Sequence, residues 1–334
     1  MRKLLLMATL VVAACGSASS ATTTTVAATT ATVAAPATTG APATTATTTD
    51  PSTTGPSTTV AAAFPVVVAG AEITARPERI ISLSPTSTEV LFAIGAGDQV
   101  VAVDSLSNYP AEAPVTDLSA FEPSVEAIAA YEPDLVIVSW DPGDLVAGLD
   151  ALGIPVISHF DPFGIDDAYS QIEQLGTATG NAASATELIV RMQADIAALV
   201  EEHRIPGTTF SYYHEVDNTL YSATSQTFIG SIYGLFGLEN IADPADPDGF
   251  GFPQLSAEYI LDSDPDLIFY GCAVWCGTNP DTIAERPGWS GLTAVERGAL
   301  TQLDDDVVSR WGPRLVEFVR VIGESLQAAV GASA

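Results

Sequence analysis

From Arg79 onward, short β-rich runs alternate with helical ones along the chain. Ile80-Ile-Ser-Leu83 reads as a strand, and Ser84-Pro-Thr-Ser-Thr-Glu89-Val-Leu-Phe-Ala-Ile-Gly95 follows it as turn, helix and glycine stop. Thr86 and Glu89 stand at capping-box spacing, so helix entry accounts for Glu89 without any further role. Residues 100–105, 135–139 and 156–159 supply further strands with helices between them, the pattern of a largely parallel sheet covered on both faces. Residues 181–203 form the longest helical stretch, with Leu188, Met192, Ile196 and Leu199 on one stripe and Asn181 placed to cap it. At about 1.5 Å per residue this helix runs some 35 Å, the width of a small domain. Pro206-Gly207 stops it, and a second strand-helix series begins.

Within these two series one unit occurs twice. Ser124-Val-Glu126-Ala-Ile128, followed by Glu132-Pro-Asp-Leu-Val136, returns as Ser256-Ala-Glu258-Tyr-Ile260, followed by Asp264-Pro-Asp-Leu-Ile268. In each copy a serine opens a short helix, a glutamate sits in its first turn, proline ends it and Asp-Leu enters a buried strand. The duplication predicts an α/β fold of two lobes with mostly parallel sheets, residues 64–180 and 206–334. One long rigid helix, 181–205, joins them, and a ligand cleft lies between. A hinge of crossing strands is the competing arrangement, and the helical stripe argues against it.

The N-terminus belongs to neither lobe. Met1-Arg-Lys3, an apolar run over residues 4–12 and Val12-Ala-Ala-Cys15 read as an export signal. The run is shorter than the ~18 residues that span a bilayer. Its end resembles the lipobox of bacterial lipoproteins, which implies cleavage before Cys15 and lipidation there. Residues 16–63 are almost wholly Thr, Ala, Ser, Pro and Val, too poor in large apolar side chains to offset the entropy of ordering, and are expected to form a tether about 40 Å in span. The formal net charge of −30 makes nucleic acid and acidic lipid surfaces poor partners, leaving the lipid anchor as the only membrane contact. Past Cys15 only Cys272 and Cys276 remain, which in an exported chain most simply form one disulfide; thiolate metal ligation is the alternative.

Ligands of open parallel sheets bind beyond the carboxyl ends of strands, and there this chain is rich in aromatics: Tyr109, Phe121, Trp140, Phe160, Tyr213, Phe250, Phe252 and Trp275 among them. Such a concentration fits a shared cleft. Arg310 and Arg314 flank Trp311, either as partners of local acids such as Asp306 or as clamps on a ligand. Catalytic signatures are missing. The three histidines lack His-Glu-x-x-His spacing, and there is no Gly-x-Ser-x-Gly elbow or phosphate-binding loop. His159 and His214 alone are too few ligands for a bare metal ion.

With these features together, residues 79–330 resemble the substrate-binding proteins of bacterial ABC importers for vitamin B12 and ferric siderophores. The most specific pieces are the Arg79 to Gly95 segment, Ser105-Leu-Ser-Asn-Tyr-Pro110, Glu132-Pro-Asp-Leu-Val-Ile-Val, Pro253-Gln-Leu-Ser-Ala-Glu258 and Arg310-Trp-Gly-Pro-Arg314. The resemblance implies that Glu126 and Glu258 dock to arginines of the importer's paired membrane subunits. It places the ligand against Tyr109, Phe121, Trp140, Tyr213, Phe252, Asp306 and Arg310. Leu106, Phe121 and Phe252 stand where B12-binding members can have tyrosine or tryptophan. The expected protein is a monomeric, non-enzymatic, extracytoplasmic lipoprotein that delivers a metal chelate, a ferric siderophore or a cobalamin-type corrinoid, to an ABC importer. It needs no cofactor, because the ligand carries its own iron or cobalt. An extracellular enzyme using the same cleft, a binder of bare metal ion or haem, and a surface adhesin are the rivals.

Overall fold

Two parallel four-stranded sheets carry the fold in the computed structural model, which describes residues 63–332. The signal segment, Cys15 and residues 16–62 of the tether lie outside the described residues. A small antiparallel hairpin, β1 (Val66–Val68) with β2 (Ala71–Ile73), precedes the first lobe. That lobe contains β3 (Ile80–Leu83), α1 (Pro85–Ala93), β4 (Val100–Val103), α2 (Val125–Ala129), β5 (Leu135–Val138), α3 (Leu145–Asp150), β6 (Val156–Ser158) and α4 (Ile165–Thr179). Helix α5 (Ala182–His203) leads into the second lobe: β7 (Ser211–Glu215), α6 (Phe228–Gly234), β8 (Glu239–Asn240), α7 (Ala257–Ser263), β9 (Leu267–Tyr270), α8 (Ala273–Cys276), α9 (Pro280–Ala284), α10 (Thr293–Glu296), β10 (Leu300–Gln302), α11 (Asp305–Val308) and α12 (Leu315–Ala332). The sheet orders, β4-β3-β5-β6 and β8-β7-β9-β10, correspond strand for strand.

Strand alternation assigns every side chain to one of two faces. Ile80, Leu135, Ile137 and Ile157 of the first sheet, with Tyr212, Leu267 and Phe269 of the second, enter the same hydrophobic cluster. Leu188, Met192, Ile196 and Leu199, the stripe on α5, fill it between them. The core is therefore continuous through both lobes, with α5 packed on α4 of the first and α12 of the second. Close approach is built in at both ends of α5. A β-carbon on Gly176 would collide with that of Ala185, and one on Gly323 would stand 2.6 Å from the His203 ring. The opposite faces close separate cores, Ile81, Leu83, Val136 and Val138 under α2 and α3, and Tyr213, Ile268 and Tyr270 under α7 and α10.

The repeated sequence unit is a repeated structure. Ser124 and Ser256 cap α2 and α7 by accepting from the N–H groups of Ala127 and Tyr259 at 3.2 and 3.1 Å. Ile128 and Ile260 are fully buried. Proline bars the right-handed helical region to the residue before it. Glu132 and Asp264 accordingly turn out of the helix with φ of 50° and 41°. The next acid bonds the start of the neighbouring strand: Asp134 accepts from the N–H groups of Glu78 and Arg79, and Asp266 from that of Ser211.

Two local expectations are corrected. Ser84, not Thr86, is the N-cap of α1, accepting from Ser87 N at 3.2 Å, which moves Glu89 beyond the first turn and frees its carboxylate. Asn181 makes no capping bond; its amide donates to Thr179, because α5 starts one tight turn after α4.

Candidate functional site

Strands β5, β6, β7 and β9 and the segment between α11 and α12 end around one cleft. Its largest chamber, about 420 Å³, lies between Asp161, Pro162 and Phe163 of the first lobe and Phe228, Phe250, Phe252 and Trp311 of the second. A second of about 320 Å³ is walled by His214, Phe252, Trp275 and Asp305. A third of about 250 Å³ lies among Ser84, Leu106, Ser139, Asp306 and Arg310. Ser309 lines all three, which therefore adjoin one another.

The floor where the lobes meet is an ion cluster. Arg310, 5% exposed, donates to Glu89 Oε1 at 2.9 Å, Asn108 Oδ1 at 3.0 Å, the Leu106 carbonyl at 3.1 Å and Asp306 Oδ1 at 2.6 Å. Arg314 reaches both oxygens of the same glutamate, at 2.7 and 3.1 Å, with its guanidinium 4.5 Å above the Tyr109 ring. Trp311 donates from Nε1 to Gln171 Oε1 at 2.7 Å. First-lobe Glu89, Leu106, Asn108 and Gln171 are thereby tied to second-lobe Asp306, Arg310, Trp311 and Arg314. Behind them Asp104 is bonded by Ser107, which with Thr88 and Ser82 forms a chain of buried hydroxyls. Burial pushes the Asp104 carboxyl up.

Electrostatically the cleft offers anions little. Arg310 is the one cationic side chain lining the three chambers, and two carboxylates occupy it, whereas Asp161, Asp305 and Asp306 also line them. Burial raises the Asp161 pKa. His159 and His214 are buried, bonded to Gln174 and the Tyr233 hydroxyl, and burial lowers each to a pKa of about 4, so both are neutral at pH 7. Among the described residues no group of three or more His, Cys, Asp or Glu is placed to hold a metal ion.

Of the residues inferred from sequence, Phe252, Asp306 and Arg310 line the cleft, Arg310 with its donors already engaged. Phe121 and Trp140 are exposed and tilted together, ring centroids 5.9 Å apart, at the end of β5. Tyr109 lies under Arg314. Tyr213 is a correction. It has no exposure and packs edge-on against Trp289, because strand parity points it to the outer face of β7 while His214 points to the cleft. Glu126 and Glu258 are both exposed in the first turns of α2 and α7. Cys272 and Cys276 are disulfide-bonded, closing the alternative of thiolate metal ligation. Sequence reasoning missed the role of Glu89; the signal available was a pair of arginines four residues apart, of which Asp306 pairs with only Arg310.

A family model described as periplasmic binding protein matches residues 80–307, which spans both sheets and the cleft up to Val307. The chain belongs to the periplasmic binding protein family. Like other periplasmic binding proteins it is a non-enzymatic, substrate-binding component of ABC transport. It is 30% identical over 277 residues to the "uncharacterized ABC transporter substrate-binding lipoprotein YvrC" of Bacillus subtilis, covering 79% of this chain and 86% of that protein. It is also 30% identical to the vitamin B12-binding protein of Pectobacterium carotovorum, over 76% of this chain and 90% of the relative. Among solved structures, the periplasmic heme-binding protein RhuT from Roseiflexus superposes with a TM-score of 0.67 at 25% identity, over 76% of this periplasmic binding protein and 99% of that chain.

Proposed function

We propose that this protein captures a metal chelate carrying no net negative charge, best a cobalamin-type corrinoid, and delivers it to an ABC importer while held at the membrane by a lipid on Cys15. The single observation behind the choice of ligand is the occupied cation. A ferric catecholate or the propionates of haem call for free arginines, and here Arg310 is neutralised by Glu89 and Asp306 beside Asp161 and Asp305. An amide-fringed corrin asks for apolar faces and hydrogen-bonding groups, which Phe163, Phe250, Phe252, Gln226 and Ser309 supply. The names of relatives at 30% identity, vitamin B12-binding and cobalamin-binding proteins, support the same reading. The continuous core through α5 favours a preformed cleft with modest closure.

Glu126 and Glu258 are assigned to docking. Each is exposed at the same corner of a repeated lobe, so two carboxylates at a separation fixed by the shared core meet two cations of a paired membrane subunit.

Calorimetric titration of the protein with cyanocobalamin, a cationic ferric hydroxamate, a ferric catecholate and haemin tests the ligand class. Cyanocobalamin is expected to bind, and the triply anionic catecholate at least about 100-fold more weakly. Tighter binding of the catecholate would overturn the reading.

A further inference from the structure

Resting on that reading and extending it, we propose that the loop closed by the Cys272–Cys276 disulfide is the specificity wall of the cleft, and that Trp275 covers one face of the bound chelate. Nothing in the repeated architecture requires this loop. Helix α8 is a single turn between two left-handed residues, Cys272 (φ 57°) and Gly277 (φ 70°), with no side-chain cap. An isolated turn of that length does not hold itself together in water. Covalent closure holds it, together with a bond from Cys272 N to Asp305 Oδ1 at 2.8 Å. Glycine at 271 makes the second contact feasible, since a β-carbon there would stand 2.8 Å from the same carboxylate oxygen.

All this anchorage fixes a backbone whose side chains have nothing to pack on. Trp275 is 86% exposed and Val274 82%. Trp275 nonetheless lines a chamber that shares Ile229, Phe252, Val308 and Ser309 with the largest part of the cleft. An indole carried on a fixed backbone at the edge of an apolar chamber has only its own side-chain freedom to lose on covering a ligand, and gains the burial of a large π face. Its neighbours set the ligand chemistry. Asp305 repels an anion, a neutral His214 offers it no counter-charge, and a broad apolar or π surface is left as the complementary shape.

The internal duplication supports the same assignment independently. Strands β5 and β9 correspond, each being the third strand of its lobe and paired with the first. Trp140 leaves the end of β5 two residues after Val138, and Cys272 leaves β9 two residues after Tyr270. The exposed Phe121–Trp140 pair and the disulfide loop therefore occupy equivalent strand exits of the two lobes, one aromatic wall from each side.

The test uses the intact chain, titrated with cyanocobalamin in the calorimeter. Trp275→Ala is expected to weaken binding about 10- to 100-fold, with Trp275→Phe recovering most of it. A Cys272→Ser, Cys276→Ser double variant is expected to lose about 3- to 10-fold, because the indole must then be ordered on binding. Hydroxyl-radical footprinting gives a readout independent of any variant: bound cyanocobalamin lowers the labelling of Trp275 several-fold. A dissociation constant for Trp275→Ala within twofold of a parent that binds, or equal labelling with and without ligand, overturns the inference. So does a loss of uptake with unchanged affinity, which would assign Trp275 to the importer. A parent that binds no chelate at all brings down the ligand reading itself, and this inference with it.

Discussion

The two lobes share a strand order and a helix-to-strand module, yet they differ wherever one of them closes its outer face. In the first lobe that face is wholly apolar: Ile81 and Leu83 of β3 pack with Val136 and Val138 under α2 and α3. The pairings of β3 with β5 and of β7 with β9 set Leu83 level with Glu215. Glu215 is fully buried and held by both guanidinium nitrogens of Arg286, at 2.5 and 2.7 Å, with Arg286 itself stacked 4.5 Å over Trp289. Arg286 and Trp289 belong to the segment between β9 and β10, where the first lobe has only α3 and the second has α8, α9 and α10. Duplication thus preserved the parts that build the sheet and present Glu126 and Glu258. The unmatched segment supplies Arg286, the partner of Glu215, and the disulfide that closes the loop carrying Trp275. What repeats serves the fold and carries the proposed docking acids, and what does not repeat carries the proposed ligand wall.

The sharpest way to break this division is at the repeated glutamates. Reversal of both, Glu126→Arg with Glu258→Arg, is expected to abolish uptake in cells while cyanocobalamin affinity stays within twofold. Each single reversal should do part of the damage, because each lobe offers one acid. Equal uptake by the double variant would show that the repeat is architectural only.

Next in size is the contact that joins the lobes. Glu89 receives Arg310 and Arg314 with its side chain 1% exposed, so Glu89→Ala removes the carboxylate that the buried Arg310 and the part-buried Arg314 share. Removing one member of such a cluster costs about 3–5 kcal/mol. Urea unfolding should register that loss, while the exposed pairing of Arg297 with Asp266 at 3.6 Å should be nearly silent when Arg297→Ala is made. A Glu89→Ala variant as stable as the parent would mean that the shared core alone fixes the lobes.

Why the sheets were legible in the sequence and the site only partly so follows from the same contrast. Strand parity, the α5 stripe and the Ser-x-Glu-x-Ile module are local periodicities, and each survives in the fold at the residues that carried it. Glu89 was misread because Thr86 three residues earlier satisfied a local rule, whereas its partners lie more than 200 positions away, at Arg310 and Arg314. Tyr213 was misplaced for a related reason. A run of Tyr212-Tyr213-His214 on a strand fully buried from both sides has no polar alternation to show which member faces the cleft. The cleft itself is made by Asp161, Phe163, Phe250 and Ser309, residues from three separate loops that only the folded chain brings together.

A smaller effect compares the module's own acids. Asp134 accepts from two backbone N–H groups ahead of β3, at 2.8 and 2.9 Å, and Asp266 accepts from Ser211 N and Oγ ahead of β7, at 3.0 and 3.1 Å. Alanine at either position is expected to cost about 1–2 kcal/mol, and to cost nearly the same in both lobes. A large disparity in urea unfolding would mean that the two modules share a sequence without sharing a load.

The finest comparison is between the buried histidines, one per lobe. His159 and His214 are each held by burial at a pKa of about 4, against about 6.5 in an unfolded chain. Above pH 6.5 both are neutral folded or unfolded, and their contribution to the pH dependence vanishes. As the pH falls from 6.5 toward 4 the unfolded chain takes up protons that the folded one refuses, so stability declines through that window and the decline ends near pH 4. At pH 5.5 the loss is on the order of 1 kcal/mol for each histidine. Replacing one, His159→Gln or His214→Gln, should remove that histidine's share of the decline between pH 6.5 and 4 in urea unfolding, an equal share whichever lobe is altered. If His214→Gln alone flattens the profile, then proton exclusion belongs to the second lobe, on the side of the cleft where His214 meets the chamber walled by Trp275.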